Sequence, residues 1–337
     1  MTVAENIPLA RYTTFHIGGP ARLFVTCETE DDVISALALS RECGLPLLPL
    51  GEGSNLLAGD EGIEAVVVHI RIPGISFEEK EDGVEVSAGA GVSWDALVGA
   101  SAARGLWGIE NLAGIPGTVG AAPVQNIGAY GTELEESVSW AETIRLSDGA
   151  KERFPREQCG FSYRTSRFKR EREWVITRVA FLLSKNPAPR LSYPDLVAAK
   201  DSGIALRTPE EIGRAVRSIR AAKFPDLSAN GTAGSFFKNP LMSQARAEEL
   251  MQKFPGLPIY PAQTGVKVPL AWILDQVLGL RGYRKGKARL FERQPLVIVA
   301  DPDASAHDVE ILALEVAERV LDATGIIIER EVETFGK

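Results

Sequence analysis

The sequence predicts an α+β protein of two or three domains, and three observations carry that prediction. The chain has 337 residues, 45% of them hydrophobic, enough to fill more than one core. Strand-like segments are interspersed with amphipathic segments that carry helix caps. The uncharged run 111–131 is crowded with Gly and small residues, a composition that suits neither helix nor strand.

The elements follow in order. Thr29-Glu-Asp-Asp32 opens a helix over 33–43, with Thr29 as N-cap, acidic residues at the positive end of the helix dipole and Gly44 as the stop. The apolar run 45–50 reads as a buried strand, 51–55 as a turn and 65–70 as another strand. Over 83–90, Val84, Val86 and Ala88 alternate with polar or small residues, the mark of a half-buried strand. A helix is expected over 93–104, with Trp94, Leu97, Val98 and Ala102 on one side, and an alternating strand over Trp174–Leu183. Thr208-Pro-Glu-Glu211 joins an N-cap Thr, a Pro at the first helical position and a Glu at the third. Ile212, Ala215, Val216 and Ile219 then recur at helical spacing, and the helix should end near Lys223, before Pro225. Two further helices are expected over 270–278 and 309–323, the second with Ser305 near its start and Gly325 just past its end. The last strand is expected over 326–332. No internal repeat, low-complexity tract or heptad pattern is present.

Composition excludes several function classes. A net charge of −8 argues against nucleic-acid binding, because phosphate contacts need clustered Lys and Arg. The nearest basic stretch, 164–172, is short and contains Phe168 and Glu171. Cys27, Cys43 and Cys159 are odd in number and lack metal spacing, and His16, His69 and His307 are scattered, so no metal site is expected. With no leader and no apolar run near 18 residues, the expectation is a cytoplasmic protein without a membrane segment.

Four segments could carry chemistry. Gly51, Glu52, Gly53, Ser54 and Asn55 lack the third Gly of a dinucleotide fingerprint, so they form either a tight turn or an anion nest. Together with 111–131 they suggest two backbone-lined sites for a cofactor with a diphosphate and a ring system, N–H groups facing it. In Gly160-Phe-Ser-Tyr-Arg-Thr-Ser166, Arg164 offers a planar fork suited to a carboxylate or enolate, against the plain reading of a solvated Arg. Ser235, behind two glycines and ahead of two Phe, is either structural or a proton donor; a hydrolase elbow is unsupported because no Gly-x-Ser-x-Gly occurs there. Glu331 shares a strand face with Ile327 and Glu329, as a charged strand end or a functional carboxyl.

In order, Thr13-Thr-Phe-His-Ile-Gly-Gly19, 51–55, 111–131, Tyr163-Arg164, Gly234-Ser-Phe-Phe-Lys-Asn-Pro240 and Glu331-Val332 resemble the UDP-N-acetylenolpyruvoylglucosamine reductase family, flavoenzymes of bacterial peptidoglycan synthesis. The resemblance implies a two-subdomain FAD-binding unit of the vanillyl-alcohol-oxidase type and a C-terminal α+β substrate-binding domain. The expected division is 1–70 and 71–206 for the two subdomains, 207–325 for the substrate domain, and 326–337 returning to the first. It implies non-covalent FAD on 51–55, on Ile115, Pro116 and Gly117, on Asn126, Ile127 and Gly128, and on Arg220. NADPH would supply hydride, UDP-N-acetylglucosamine enolpyruvate would be the substrate, and a monomer is expected. Arg164 and Glu331 would stabilise an enediolate-like intermediate, Glu331 while holding or sharing a proton, and Ser235 would donate the final proton. Tyr193 resembles the mobile tyrosine of one subgroup. Lys223, Asn239, Tyr260, Arg281 and Gln294 resemble uridine or diphosphate contacts, with Tyr130 beside the cleft. The chain departs from the family pattern at Pro194, Arg281 and Arg330, where Gly, Lys and Pro are expected. The main rival is an FAD-dependent sugar or alcohol oxidase of the same fold; many of these tether FAD through a His near a Gly-rich turn, and only His16 lies near glycines here.

Overall fold

Helices start where the sequence caps them. In the computed structural model, which describes residues 1–262 and 264–335, Thr29 accepts the Asp32 N–H and Asp32 returns a bond to the Thr29 N–H, opening the helix Glu30–Cys43. Gly44 closes it in the left-handed conformation. Thr208 accepts the Glu211 N–H at the start of the helix Pro209–Lys223. The longest helix, Ala306–Thr324, is capped twice. Ser305 Oγ accepts the Asp308 N–H, while Asp60, 246 residues earlier, accepts the N–H groups of Ala306 at 2.8 Å and His307 at 3.4 Å. The first three orphan donors of that helix are thereby satisfied.

Contacts divide the chain into two units. The first comprises Met1–Ile7, Ala21–Glu52 and Glu64–Ala222; the second comprises Pro8–Pro20, Gly53–Ile63 and the chain from Lys223 onward. These boundaries differ from cuts at 70, 206 and 325; residues 336 and 337 of the expected last segment lie outside the described residues. The local sequence could not reveal the excursions of 8–20 and 53–63, because Phe15, Ile17 and Leu57 find their apolar partners among Phe236, Phe237, Val316 and Ile328.

The first unit holds two sheets. One runs Thr2–Pro8, Pro20–Cys27, Ile63–Ile70, Leu47–Leu50, the last two parallel. Val33, Ala36 and Leu37 of the helix Glu30–Cys43 share a core with its strands. The other is antiparallel and runs Lys151–Pro155, Val138–Arg145, Trp174–Leu183, Gly83–Gly89, Ile75–Lys80. Its middle strand, Trp174–Leu183, does not alternate as expected: only Arg178 and Leu182 escape burial. Val175 joins one core while Ile176, Val179 and Phe181 join the other, so both faces are covered. Gly83–Gly89 keeps the expected alternation.

The second unit is built on the helix Ala306–Thr324 and short sheets. Helix expected over 270–278 is instead one turn, Leu270–Trp272, that widens into a π turn, Ile273–Val277. The strand expected over 326–332 is also different. Residues 329–331 pair irregularly with 236–238 through one bridge, Phe237↔Arg330, and the regular strand is Glu333–Phe335, parallel to Leu56–Ala58. The apolar residues that suggested a longer strand, Ile326, Ile328 and Val332, are buried by packing rather than by a ladder.

Asp60→Ala should lower stability by about 1 kcal/mol, the usual worth of a helix cap, read as a lower urea midpoint at unchanged slope. An unchanged midpoint would mean that water replaces the carboxylate at no cost.

Candidate functional site

In the first unit, the Gly-rich run is held from several directions. Gly114, at φ 70°, donates its N–H to Asp95 at 2.7 Å, and its carbonyl accepts Arg220 Nε at 2.8 Å. Asp95 also accepts Arg217 Nε at 2.9 Å through both oxygens. Arg217 and Arg220 lie three residues apart on the helix Pro209–Lys223, so one helical face delivers both to this loop. Gly117, at φ 125°, donates to Glu52 at 3.0 Å, which joins the two glycine turns at that point. Burial raises the Glu52 carboxyl, with the Gly117 bond and Arg71 opposing.

The expected row of outward N–H groups is much reduced. The N–H groups of residues 117, 119, 120, 121 and 122 all donate to protein acceptors. Part of the glycine content answers to packing: a Cβ at Gly120 would lie 2.5 Å from that of Ala90. Ile127 sits in the core. Ile115 is partly buried against the same core, beside Pro116.

Asn126 and Gly128 hold the loop that carries Arg164. Asn126 donates to the Ser162 carbonyl at 3.3 Å, and Arg164 Nη2 donates to the Gly128 carbonyl at 2.8 Å. A Cβ at position 128 would come within 3.0 Å of Arg164 Nη1. Arg164 itself has φ 54° in a tight turn closed by mutual bonds of Ser162 and Thr165. A left-handed Arg costs on the order of 1 kcal/mol, so the turn imposes its orientation.

Tyr130, also left-handed at φ 48°, meets Tyr193 edge to face at 5.2 Å. Burial pushes its phenol up to about 12, with Arg220 opposing and hydrogen-bonded to it. Burial lowers Arg220 in turn, with Tyr130 and Asp95 opposing. A neutral phenol thus lies beside a desolvated cation.

In the second unit, Ser235 and Glu331 sit on one irregular backbone pair. Gly234 has φ 75°, and a Cβ there would meet no heavy atom within 4 Å. Ser235 bridges Val297, and the Phe236 N–H donates to the Leu296 carbonyl at 2.8 Å. The Glu331 N–H donates to the Phe236 carbonyl at 2.8 Å, which puts the two functional candidates one residue out of step. Phe236 and Phe237 beneath them are buried and edge to face at 5.1 Å. Asn55 brackets Glu331: its Nδ2 donates to the Glu331 carbonyl at 3.2 Å, and its own carbonyl accepts the Glu333 N–H at 3.0 Å. The sequence did not foreshadow this clamp, because its halves lie 276 residues apart.

The remaining candidates fall around this unit. Gly53 and Ser54 precede Asn55 in the segment Gly53–Ile63. Asn239 Oδ1 accepts the Leu270 N–H at 3.0 Å. Tyr260 is exposed on a short strand beside Lys267. The Arg281 fork is engaged by Asp275 at 2.5 and 2.7 Å and also donates to the Glu292 carbonyl, two residues before Gln294. Gln294 shapes a turn, its carbonyl accepting the Val297 N–H at 2.9 Å. Lys223 ends the helix Pro209–Lys223. Among the described residues no cluster of His, Cys, Asp and Glu could hold a metal ion.

Comparison with known proteins agrees with both halves of the chain. Residues 21–153 match a family model described as an FAD binding domain. Residues 226–335 match the C-terminal domain model of UDP-N-acetylenolpyruvoylglucosamine reductase. The reductase of Pseudomonas aeruginosa is 41% identical over 339 residues, covering 99% of each chain. That of Escherichia coli is 37% identical over 334 residues, covering 98% of this chain and 96% of the relative. The crystal structure of the reductase from Thermus caldophilus superposes with a TM-score of 0.68 at 29% identity, covering 99% of both chains. The residues present fit an anionic dinucleotide: a half-buried arginine stands beside the loop, gripping the carbonyl of the left-handed Gly114, with a second left-handed glycine at 117.

One carboxyl near the Gly-rich run makes a pH prediction. Glu110 is 3% exposed and accepts the Gly108 N–H at 2.6 Å, yet burial raises it above its usual 4.5. The folded state therefore binds this proton more tightly than the unfolded state, so its contribution is full below 4.5 and is lost as pH rises through the raised folded value. Glu110→Gln should make thermal stability less sensitive to pH across that window. An identical pH profile for variant and parent would refute the assignment.

Proposed function

Because the chain belongs to the UDP-N-acetylenolpyruvoylglucosamine reductase family, we propose that it uses NADPH to reduce the enolpyruvyl group of UDP-N-acetylglucosamine enolpyruvate, giving UDP-N-acetylmuramate. It is an FAD-dependent oxidoreductase of peptidoglycan precursor synthesis. When bound, FAD supplies the chemistry of accepting a hydride from NADPH and passing one to the vinyl carbon. In this reading Gly51, Glu52, Gly53, Ser54 and Asn55, with Ile115, Pro116, Gly117, Asn126, Ile127, Gly128 and Arg220, hold it without a covalent bond. Asn126 and Gly128 also buttress Arg164.

Hydride arrival at the vinyl carbon leaves an electron pair on the neighbouring carbon, delocalised into the carboxylate. Arg164 binds that carboxylate with its planar fork. Glu331 stabilises the same charge while holding or sharing a proton. Ser235 completes the reaction: its O–H bond breaks, a C–H bond forms, and the alkoxide recovers a proton from solvent. The observation that carries this reading is the 2.8 Å bond from the Glu331 N–H to the carbonyl of Phe236, the residue that follows Ser235, behind a left-handed Gly234. Glu331 is fixed by Asn55 on one side and Phe236 on the other, so its placement is not left to a mobile strand end.

For the sugar nucleotide, the reading assigns Tyr130, Tyr193, Lys223, Asn239, Tyr260, Arg281 and Gln294. Arg281 would take a diphosphate in competition with Asp275. The protein is read as a cytoplasmic monomer without nucleic-acid partners. Three free thiols suit a reducing compartment, and no helix among the described residues is long and apolar enough to cross a membrane.

Ser235→Ala should leave bleaching of the flavin by NADPH intact and slow its reoxidation by the sugar nucleotide by roughly 10²–10⁴-fold; equal loss in both half-reactions would remove the proton-donor role. Reduced protein that recolours only with O₂ would favour the oxidase. Tyr193→Ala should weaken binding of the sugar nucleotide while sparing FAD content, and an unchanged affinity would exclude Tyr193 from the site.

A further inference from the structure

Asn111 lies in the short 3-10 turn Glu110–Leu112 and is 1% exposed. Its Nδ2 donates twice, to the Tyr130 carbonyl at 2.8 Å and to the Arg190 carbonyl at 2.9 Å. Its Oδ1 is buried without a hydrogen-bond partner. Turning the amide over would point an acceptor at two carbonyls, so the partners themselves fix which end is the nitrogen. Burying an amide with one end unsatisfied is unfavourable. The two bonds at the other end are what hold Asn here.

Those two carbonyls belong to segments far apart in the sequence, at residues 130 and 190. One is the left-handed Tyr130, whose phenol is hydrogen-bonded to Arg220. The other lies three residues before Tyr193, in the irregular stretch 185–193, which contains Pro187 and Pro189. The rings of Tyr130 and Tyr193 then meet edge to face at 5.2 Å. A single amide therefore ties the main chain on both sides of that ring pair. The Arg190 side chain adds an ion pair to Glu136.

We propose that Asn111 is a positioning residue that docks the 185–193 segment so that Tyr193 stands against Tyr130, and thereby sets affinity for the sugar nucleotide without touching it. This rests on the reading above that Tyr130 and Tyr193 bind substrate. Apparent affinity scales with the fraction of molecules whose segment is docked. Two prolines limit the conformations of the segment, so loss of one tether shifts the docked fraction rather than unfolding the chain.

The test uses FAD-loaded full-length protein and two variants. Asn111→Leu keeps the branching at Cγ and removes both donors; Asn111→Ser is smaller and keeps one donor. The sugar nucleotide should bind about tenfold more weakly to the Leu variant and less so to the Ser variant, with flavin reduction by NADPH unchanged. Amide hydrogen exchange over 185–193, measured without substrate, should be faster in both. In a Tyr193→Ala background the Leu substitution should cause no further loss of affinity. Unchanged affinity, unchanged exchange, or an equal loss in the Tyr193→Ala background would overturn the proposal. So would flavin reduction and reoxidation falling together in both variants, since that marks a merely structural residue. Should Tyr193→Ala alone leave affinity untouched, the substrate reading of Tyr193 fails, while the exchange data still decide whether Asn111 docks the segment.

Discussion

The second unit depends on one pairing: Leu56–Ala58 beside Glu333–Phe335, with Asn55 clamping the main chain just before it. A short segment from the first fifth of the chain is built, with residues 8–20, into a body made otherwise of residues beyond 222. Asp60 extends the same insertion by capping the helix Ala306–Thr324. Glu331 inherits its position from this arrangement. Its carbonyl is held by Asn55 and its N–H by the Phe236 carbonyl, so a residue near the end of the chain becomes one of its better fixed elements.

The first unit solves a different problem, that of holding a loop with no regular structure. Asp95, Arg217, Arg220 and Glu52 each bond to the main chain of the Gly-rich run or to one another. These are side-chain to backbone bonds in place of a ladder. Their electrostatics are linked to their packing. Burial depresses the basicity of Arg220 and suppresses ionisation of Tyr130, and their mutual contact limits both effects. An arginine so placed offers its planar fork of donors in a partly desolvated setting.

Left-handed residues mark where the backbone is forced. Asn126, Tyr130 and Arg164 all have positive φ without being Gly, and all three bond within the same neighbourhood. A glycine at any of these positions would adopt the angle more readily, but none could supply the side chain that the neighbourhood uses.

The sequence by itself determined the helix caps at Thr29, Thr208 and Ser305, the stops at Gly44 and Gly325, and the ordered motifs that identify the family. These are legible because caps, turns and periodicity act between residues a few positions apart. Tertiary structure alone decided that Trp174–Leu183 would be buried on both faces, that 326–332 would pair irregularly, that many N–H groups of the Gly-rich run would turn inward, and that Asn55 and Asn111 would act as clamps. The physical reason is common to most of these. They are fixed by partners tens to hundreds of residues away, and hydrogen-bonding capacity written in one residue does not say which distant carbonyl will satisfy it.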